Sequence, residues 1–195
     1  MTRLIERLAP TATQLVRRDH EHVIETFHRL RATTAPRVRR GLARSICLAL
    51  EVHTRLEEEL LYPAVREVSA SDFLRDAVPQ HDEMRRRIAL LRDLRPADPT
   101  FDAPFLALMR DVMHQVADEE TLFLPEAERV LQGRLGELGA RMMQRRMALM
   151  APRAPALALN RARALPARSL ALAAGIVLGG AWLGNRLSRR ATLHA

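Results

Sequence analysis

A chain of 195 residues, 48% of them hydrophobic, is long enough for one well-buried domain plus an appendage, and no internal repeat suggests a second core. A single cysteine, Cys47, excludes an internal disulfide and a thiolate metal cage. All 31 basic residues are arginine: residues 1–133 carry 20 against 22 acids, and residues 134–195 carry 11 against Glu137 alone, so the formal charge of +8 belongs to the C-terminal third. A nucleic-acid module would carry that charge on its folded domain beside aromatic or groove-reading elements; neither is visible, and no nucleic-acid partner is expected.

Ala, Leu and Arg dominate, β-branched runs are short, and there are only one Trp, one Tyr and five Phe, which predicts an all-α protein. Met1 to Pro10 carries Arg3, Glu6 and Arg7 without a long apolar core and does not read as a secretory signal, so a cytoplasmic main domain is expected. After Pro10, Thr11 or Thr13 can cap a first helix running to about Ala32, with Leu15, Val16, Val23, Ile24, Phe27 and Leu30 as its apolar stripe and His20 on or beside it. Pro36 suits a first helical position, so a second helix is predicted from 36 to about 69, with Leu42, Ile46, Leu50, Leu56, Leu60 and Leu61 inward and a kink at Pro63. Cys47 lies in that apolar run as core filler.

Ser71 and Asp72 can cap a short helix that Pro79 interrupts, after which Gln80 to Leu94 resumes with Met84, Ile88 and Leu91 inward. A fourth helix starts at Pro104 and runs through Phe105, Leu108, Met109, Val112, Val116, Leu122 and Phe123 toward Leu131, before Gly133 stops it. A fifth, smaller helix from about 134 to 150 is rich in Arg and Met and is expected on the outside. Residues 1–150 thus form the domain, 151–168 a Pro/Ala/Arg-rich linker, 169–187 an apolar helix and 188–195 a basic tail.

The chemistry lies in the recurrence of His20, His53 with Glu57, His81, and His114 with Asp118 and Glu119, about one helix apart. Four antiparallel helices could turn these groups toward one interior point, which makes a metal site. Imidazole and carboxylate without thiolate suit iron, manganese or zinc, and bridging carboxylates favour two ions. His53 and Glu57 share a helix face at i and i+4. On the fourth helix Asp118 has that offset from His114, whereas Glu119 at i+5 turns inward only if the helix widens into a π turn. The runs Glu57-Glu58-Glu59 and Asp118-Glu119-Glu120 each precede an apolar segment and a proline, so two helices carry one local plan. His22, about 200° around the helix from His20, is assigned to solvent, as are Glu58, Glu59, Glu120 and the Arg85-Arg86-Arg87 face. Tyr62 is read as packing at the kink.

The order Asp19-His20, His53-x-x-x-Glu57 before Leu-Tyr-Pro, Gln80-His81, and His114-x-x-x-x-Glu119 before Leu-Phe-Leu-Pro resembles the hemerythrin-like, or HHE cation-binding, family over about residues 10–150. The resemblance implies an up-down four-helix bundle holding a non-haem di-iron centre, with His20, His53, His81 and His114 as terminal ligands and Glu57 and Glu119 as bridges. It also implies binding, sensing or scavenging of dioxygen, nitric oxide or peroxide, or iron handling; a di-metal enzyme consuming peroxide or oxygen, and a metal-free adaptor bundle, are the alternatives. Oxygen-carrying members have a second histidine four residues before the one matching His81, where this chain has Ala77. That departure tells against reversible oxygen carriage and leaves an open position, or one for Glu21, Glu58 or Asp118 to fill.

Ser169 to Asn185 holds no charge for 17 positions, a little short of the ~20 residues of a spanning helix, with Arg168 and Arg186 able to snorkel. Gly175-x-x-x-Gly179 and Gly180-x-x-x-Gly184 give the small-residue spacing of packed membrane helices, so a membrane anchor at 169–187 and self-association through it are expected.

Overall fold

The structure, a computed structural model, describes residues 10–33, 35–95 and 98–155. Thr11 caps α1 (Ala12–Ala32) with a reciprocal box: its hydroxyl accepts from the Gln14 amide, and the Gln14 side chain accepts from the Thr11 amide at 3.0 Å. Pro36 opens α2 (Pro36–Leu56), which passes through a π turn (Glu57–Leu61) into α3 (Tyr62–Arg66). α4 (Phe73–Asp93) comes next, then α5 (Asp102–Asp118), a second π turn (Glu119–Phe123), α6 (Leu124–Val130) and α7 (Leu135–Met150). Short connections fold these into an up-down bundle of four rods, all helical among the described residues, with α7 laid against α1 and α2.

Pro79 does not interrupt α4, contrary to the sequence expectation. The helix runs unbroken from Phe73 and simply lacks the amide that would have served the Arg75 carbonyl. Each π turn ends one residue before a proline-bearing turn. The amides of Tyr62 and Leu124 reach back five residues to the carbonyls of Glu57 and Glu119, and Pro63 and Pro125 come next. A proline offers no amide and crowds the carbonyl four residues back, so widening the preceding turn relieves the clash. The extra residue re-phases the rest of each rod: Tyr62 and Leu124, five residues beyond Glu57 and Glu119, are fully buried, while Leu122, one of the apolar residues that continue the fourth helix, is 62% exposed.

The core is in two parts. One gathers Val16, Leu56, Leu61, Tyr62, Ala77, Phe123 and Leu124; the other gathers Val23, Leu50, Met84, Ile88, Phe105, Leu108 and Val112. Along each rod the two are separated by polar residues on the same inward stripe: His20 on α1, His53 and Glu57 on the second rod, His81 on α4, Gln115 and Glu119 on the fourth. A polar layer therefore divides the apolar interior. Cys47 packs in the second core, where burial pushes its thiol up to about 12.

α7 buries Leu138, Met142 and Leu149, and Gly139 lets it approach the start of α1. A Cβ there would stand 2.1 Å from the Pro10 carbonyl oxygen and 2.9 Å from the Ala12 nitrogen, main-chain atoms that cannot rotate aside. Among the described residues no helix is long and apolar enough to cross a membrane, and the apolar segment 169–187 and basic tail lie outside them.

Candidate metal centre

Five of the six sequence-assigned ligands meet in the polar layer. His20, His53, Glu57, His81 and Glu119 are all buried, the two carboxylates and His81 completely. His20 Nε2 stands 2.9 Å from Glu119 Oε2, and His53 Nε2 is 3.2 Å from Glu57 Oε2 and 3.9 Å from Glu119 Oε2. His81 Nε2 lies 3.5 Å from Glu57 Oε2. The ligand atoms fall into two trios, His20/His53/Glu119 and Glu57/His81/Glu119, each with all its atoms within 4.8 Å of one another and both sharing Glu119.

His114 is the exception: it is exposed, as is Asp118. The fourth rod does widen, but its π turn begins at Glu119, so the stretch before it is regular helix and Glu119 shares its face with Gln115, four residues back. Gln115 is buried and donates from Nε2 to Glu119 Oε1 at 2.9 Å, and it touches His81 Nε2 as well. The sequence held the signal, since the inward stripe Phe105, Leu108, Val112 continues to Gln115 and Glu119 and passes His114 by. The shared plan of the two rods is therefore His53-x-x-x-Glu57 and Gln115-x-x-x-Glu119.

The outer nitrogen of each imidazole meets a second carboxylate, itself held by an arginine. His20 Nδ1 is 2.8 Å from Glu120, which accepts from Arg17 at 3.0 Å. His81 Nδ1 is 2.8 Å from Glu58, which accepts from Arg85 at 3.0 Å. His53 Nδ1 is 3.5 Å from Asp19, which Arg146 grips through both carboxylate oxygens. An imidazole donating from Nδ1 presents the lone pair of Nε2 to the interior, the orientation a metal requires. Glu58, Glu120 and Arg85 are thus the site's outer supports and not the solvated charges of the sequence reading.

Ala77 is buried in the core, and none of the residues considered for its place reaches the interior: Glu21 and Asp118 are exposed and Glu58 serves the outer side of His81. The hydroxyl of Tyr62 does reach the interior of the site, 3.4 Å from Glu57 Oε2, His81 Nε2 and Glu119 Oε1. Its ring stacks on His81 and meets Phe73 and Phe123 edge-on.

The electrostatics are those of a site built for a cation. Burial, with the charges of Glu119 and Asp19 beside it, pushes the Glu57 carboxyl well above the usual carboxylate range. Burial works the same way on Glu119, but His20, the nearby His53 and Gln115 overcome it and hold that carboxyl below its ordinary value. Burial likewise opposes the charge on Asp19, yet His53 and Arg146 bring it down to about 2. Glu57 Oε1 is buried without a hydrogen-bond partner, while His20 Nε2 and Glu119 Oε2 face one another at 2.9 Å. An unsatisfied buried group of this kind costs about 1–3 kcal/mol, and a cation would satisfy it. The donor set of imidazole nitrogens and carboxylate oxygens fits iron, manganese or zinc. Beside the trios a cavity of about 10 Å³, close to the lower limit for one water molecule, lies between the site residues His20, His53, Gln115 and Glu119 and the apolar Val23, Leu50, Met84, Val112 and Val116.

Residues 11–127 match the family model described as the hemerythrin HHE cation binding domain. A hemerythrin HHE cation binding domain-containing protein from Mycobacterium kansasii superposes with a TM-score of 0.66 over 78% of this chain and 98% of that one, at 20% identity. A curated protein of Nostoc sp. named DNA nickase is 30% identical over 110 residues, 56% of this chain; the chain spans 31% of that relative's length.

Proposed function

The chain belongs to the hemerythrin HHE cation binding domain family, and on that premise we propose that its polar layer holds two iron ions and through them takes up a small ligand, dioxygen, nitric oxide or peroxide. The observation that carries this reading is the pair of buried ligand trios sharing Glu119. His20, His53 and Glu119 would hold one ion; His81, Glu57 and Glu119 the other, with Gln115 and Tyr62 beside them. The bound irons supply a redox-active, Lewis-acidic centre.

The chain's own residues define what that centre meets. Glu120, Asp19 and Glu58 fix the imidazoles from outside, Glu119 joins the two halves, and Gln115 offers an amide donor where a histidine would supply a lone pair. The adjoining cavity, with Val23, Leu50, Met84, Val112 and Val116 on its apolar side and His20, His53, Gln115 and Glu119 on its polar side, has room for a ligand of about water size and not for an organic substrate. Iron loading under anaerobic conditions is expected to give about two ions per chain and, on oxidation, a ligand-to-metal absorption band. Metal near zero after such loading overturns the proposal.

A further inference from the structure

The three imidazoles are supported alike, but one support comes from elsewhere. Arg17 and Arg85, which hold Glu120 and Glu58, stand on α1 and α4 inside the family match. Arg146, which holds Asp19, stands on α7, beyond the last matched residue, 127. Its two terminal nitrogens engage the two oxygens of Asp19, with Nη1 donating to Oδ1 at 2.7 Å. Such a fork fixes a carboxylate in its plane and not merely in place. Asp19 is 15% exposed at its side chain and stands 3.5 Å from His53 Nδ1, longer than the 2.8 Å contacts of the other two imidazoles, so Arg146 is its principal anchor.

We propose that α7 is coupled to the metal centre through Arg146, Asp19 and His53, so that docking of α7 and metal binding at His53 strengthen each other. Arg146 is a positioning residue that acts on the metal through two others. The inference rests on the reading of His53 as a ligand. Its reciprocity is required by linkage: if docked α7 raises metal affinity, bound metal must stabilise docked α7 by the same factor. α7 leads directly into residues 151–195, so whatever engages that segment is placed to sense, or to bias, the loading of the centre.

The neighbouring residue supplies the control. Arg145 lies on the same helix and binds Glu59 at 2.6 and 3.0 Å, a pair at the surface that touches no imidazole. In the full chain, anaerobic Fe(II) titration against a competing chelator should show Arg146→Ala weakening iron binding by about tenfold to a hundredfold. Arg146→Lys, which keeps charge but loses the fork, should fall between, and Arg145→Ala should match the wild type. Hydrogen exchange of 135–150 should slow on iron loading in the wild type and not in Arg146→Ala. Should Arg146→Ala fail to fold, Asp19→Asn must show the same loss of affinity. Wild-type affinity in Arg146→Ala or Asp19→Asn, or an equal loss in Arg145→Ala, overturns the coupling. A wild-type chain that takes up no iron at all overturns the metal reading beneath it.

Discussion

Glu119→Ala is expected to reduce bound iron from about two ions per chain to background, the largest single effect open to one substitution in this molecule. Glu119 belongs to both trios: one carboxylate oxygen faces His20 and His53, the other faces Gln115 and Tyr62. Among the described residues no other side chain is shared by the two trios. Removing it leaves one half with two imidazoles and no inner carboxylate, and the other with His81 and Glu57 alone. Two comparisons separate ligation from general damage. Glu120→Ala removes only the outer support of His20 and should weaken binding by about tenfold to a hundredfold without abolishing it. His114→Ala changes an exposed side chain and should leave the metal content untouched. Metal analysis of the purified proteins reads all three, and wild-type stoichiometry in Glu119→Ala removes that residue from the ligand set.

The second large effect has opposite signs for binding and for stability. Glu57→Gln should strip the second half of its metal while making the metal-free protein more stable at neutral pH. Burial, with Glu119 and Asp19 nearby, raises the folded-state pKa of Glu57 above its unfolded value. A group shifted in that direction contributes stability below its unfolded pKa and loses it as pH rises through the folded one. The metal-free wild type should therefore weaken from about pH 4.3 upward on account of this residue. Glutamine keeps the shape of the protonated acid and has no proton to lose. The variant's gain should be about 1–3 kcal/mol at pH 7 and vanish near pH 4, measured by thermal unfolding in chelator. Added iron should reverse the ranking, since a ligand that binds only the folded state stabilises it. A metal-free variant no more stable than wild type at pH 7 would show that Glu57 carries no buried-charge penalty.

Most of the architecture is legible in the chain because the bundle obeys one-dimensional rules. Thr11, Pro36 and Gly133 mark helix ends through their own backbone chemistry, and the 3.6-residue stripe names the inward faces. Sequence reading fails where the spacing itself changes. A regular 3.6-residue spacing cannot tell which of Leu122, Phe123 and Leu124 turns inward, and the π turn before Pro125 buries the last two and leaves Leu122 out. His114 displaces Gln115 in a reading by residue type because a histidine announces metal chemistry and a glutamine does not, although the stripe favours the glutamine. The outer ring of Glu58, Glu120, Asp19 and their arginines escapes the sequence for another reason. Each of these pairs joins residues from different rods or from α7, and only their approach in three dimensions turns exposed-looking charges into supports for a buried ring.

The two prolines beyond the widened turns have a last consequence for how the empty and filled forms relate. Pro63 and Pro125 withhold an amide and crowd the carbonyl four residues back, so the main chain itself favours the wide turn beneath each inner glutamate, with or without an occupant of the interior. The receptacle is consequently cast before it is filled. Loading and release are then expected to proceed by side-chain rotation inside a standing frame, not by winding and unwinding of helices.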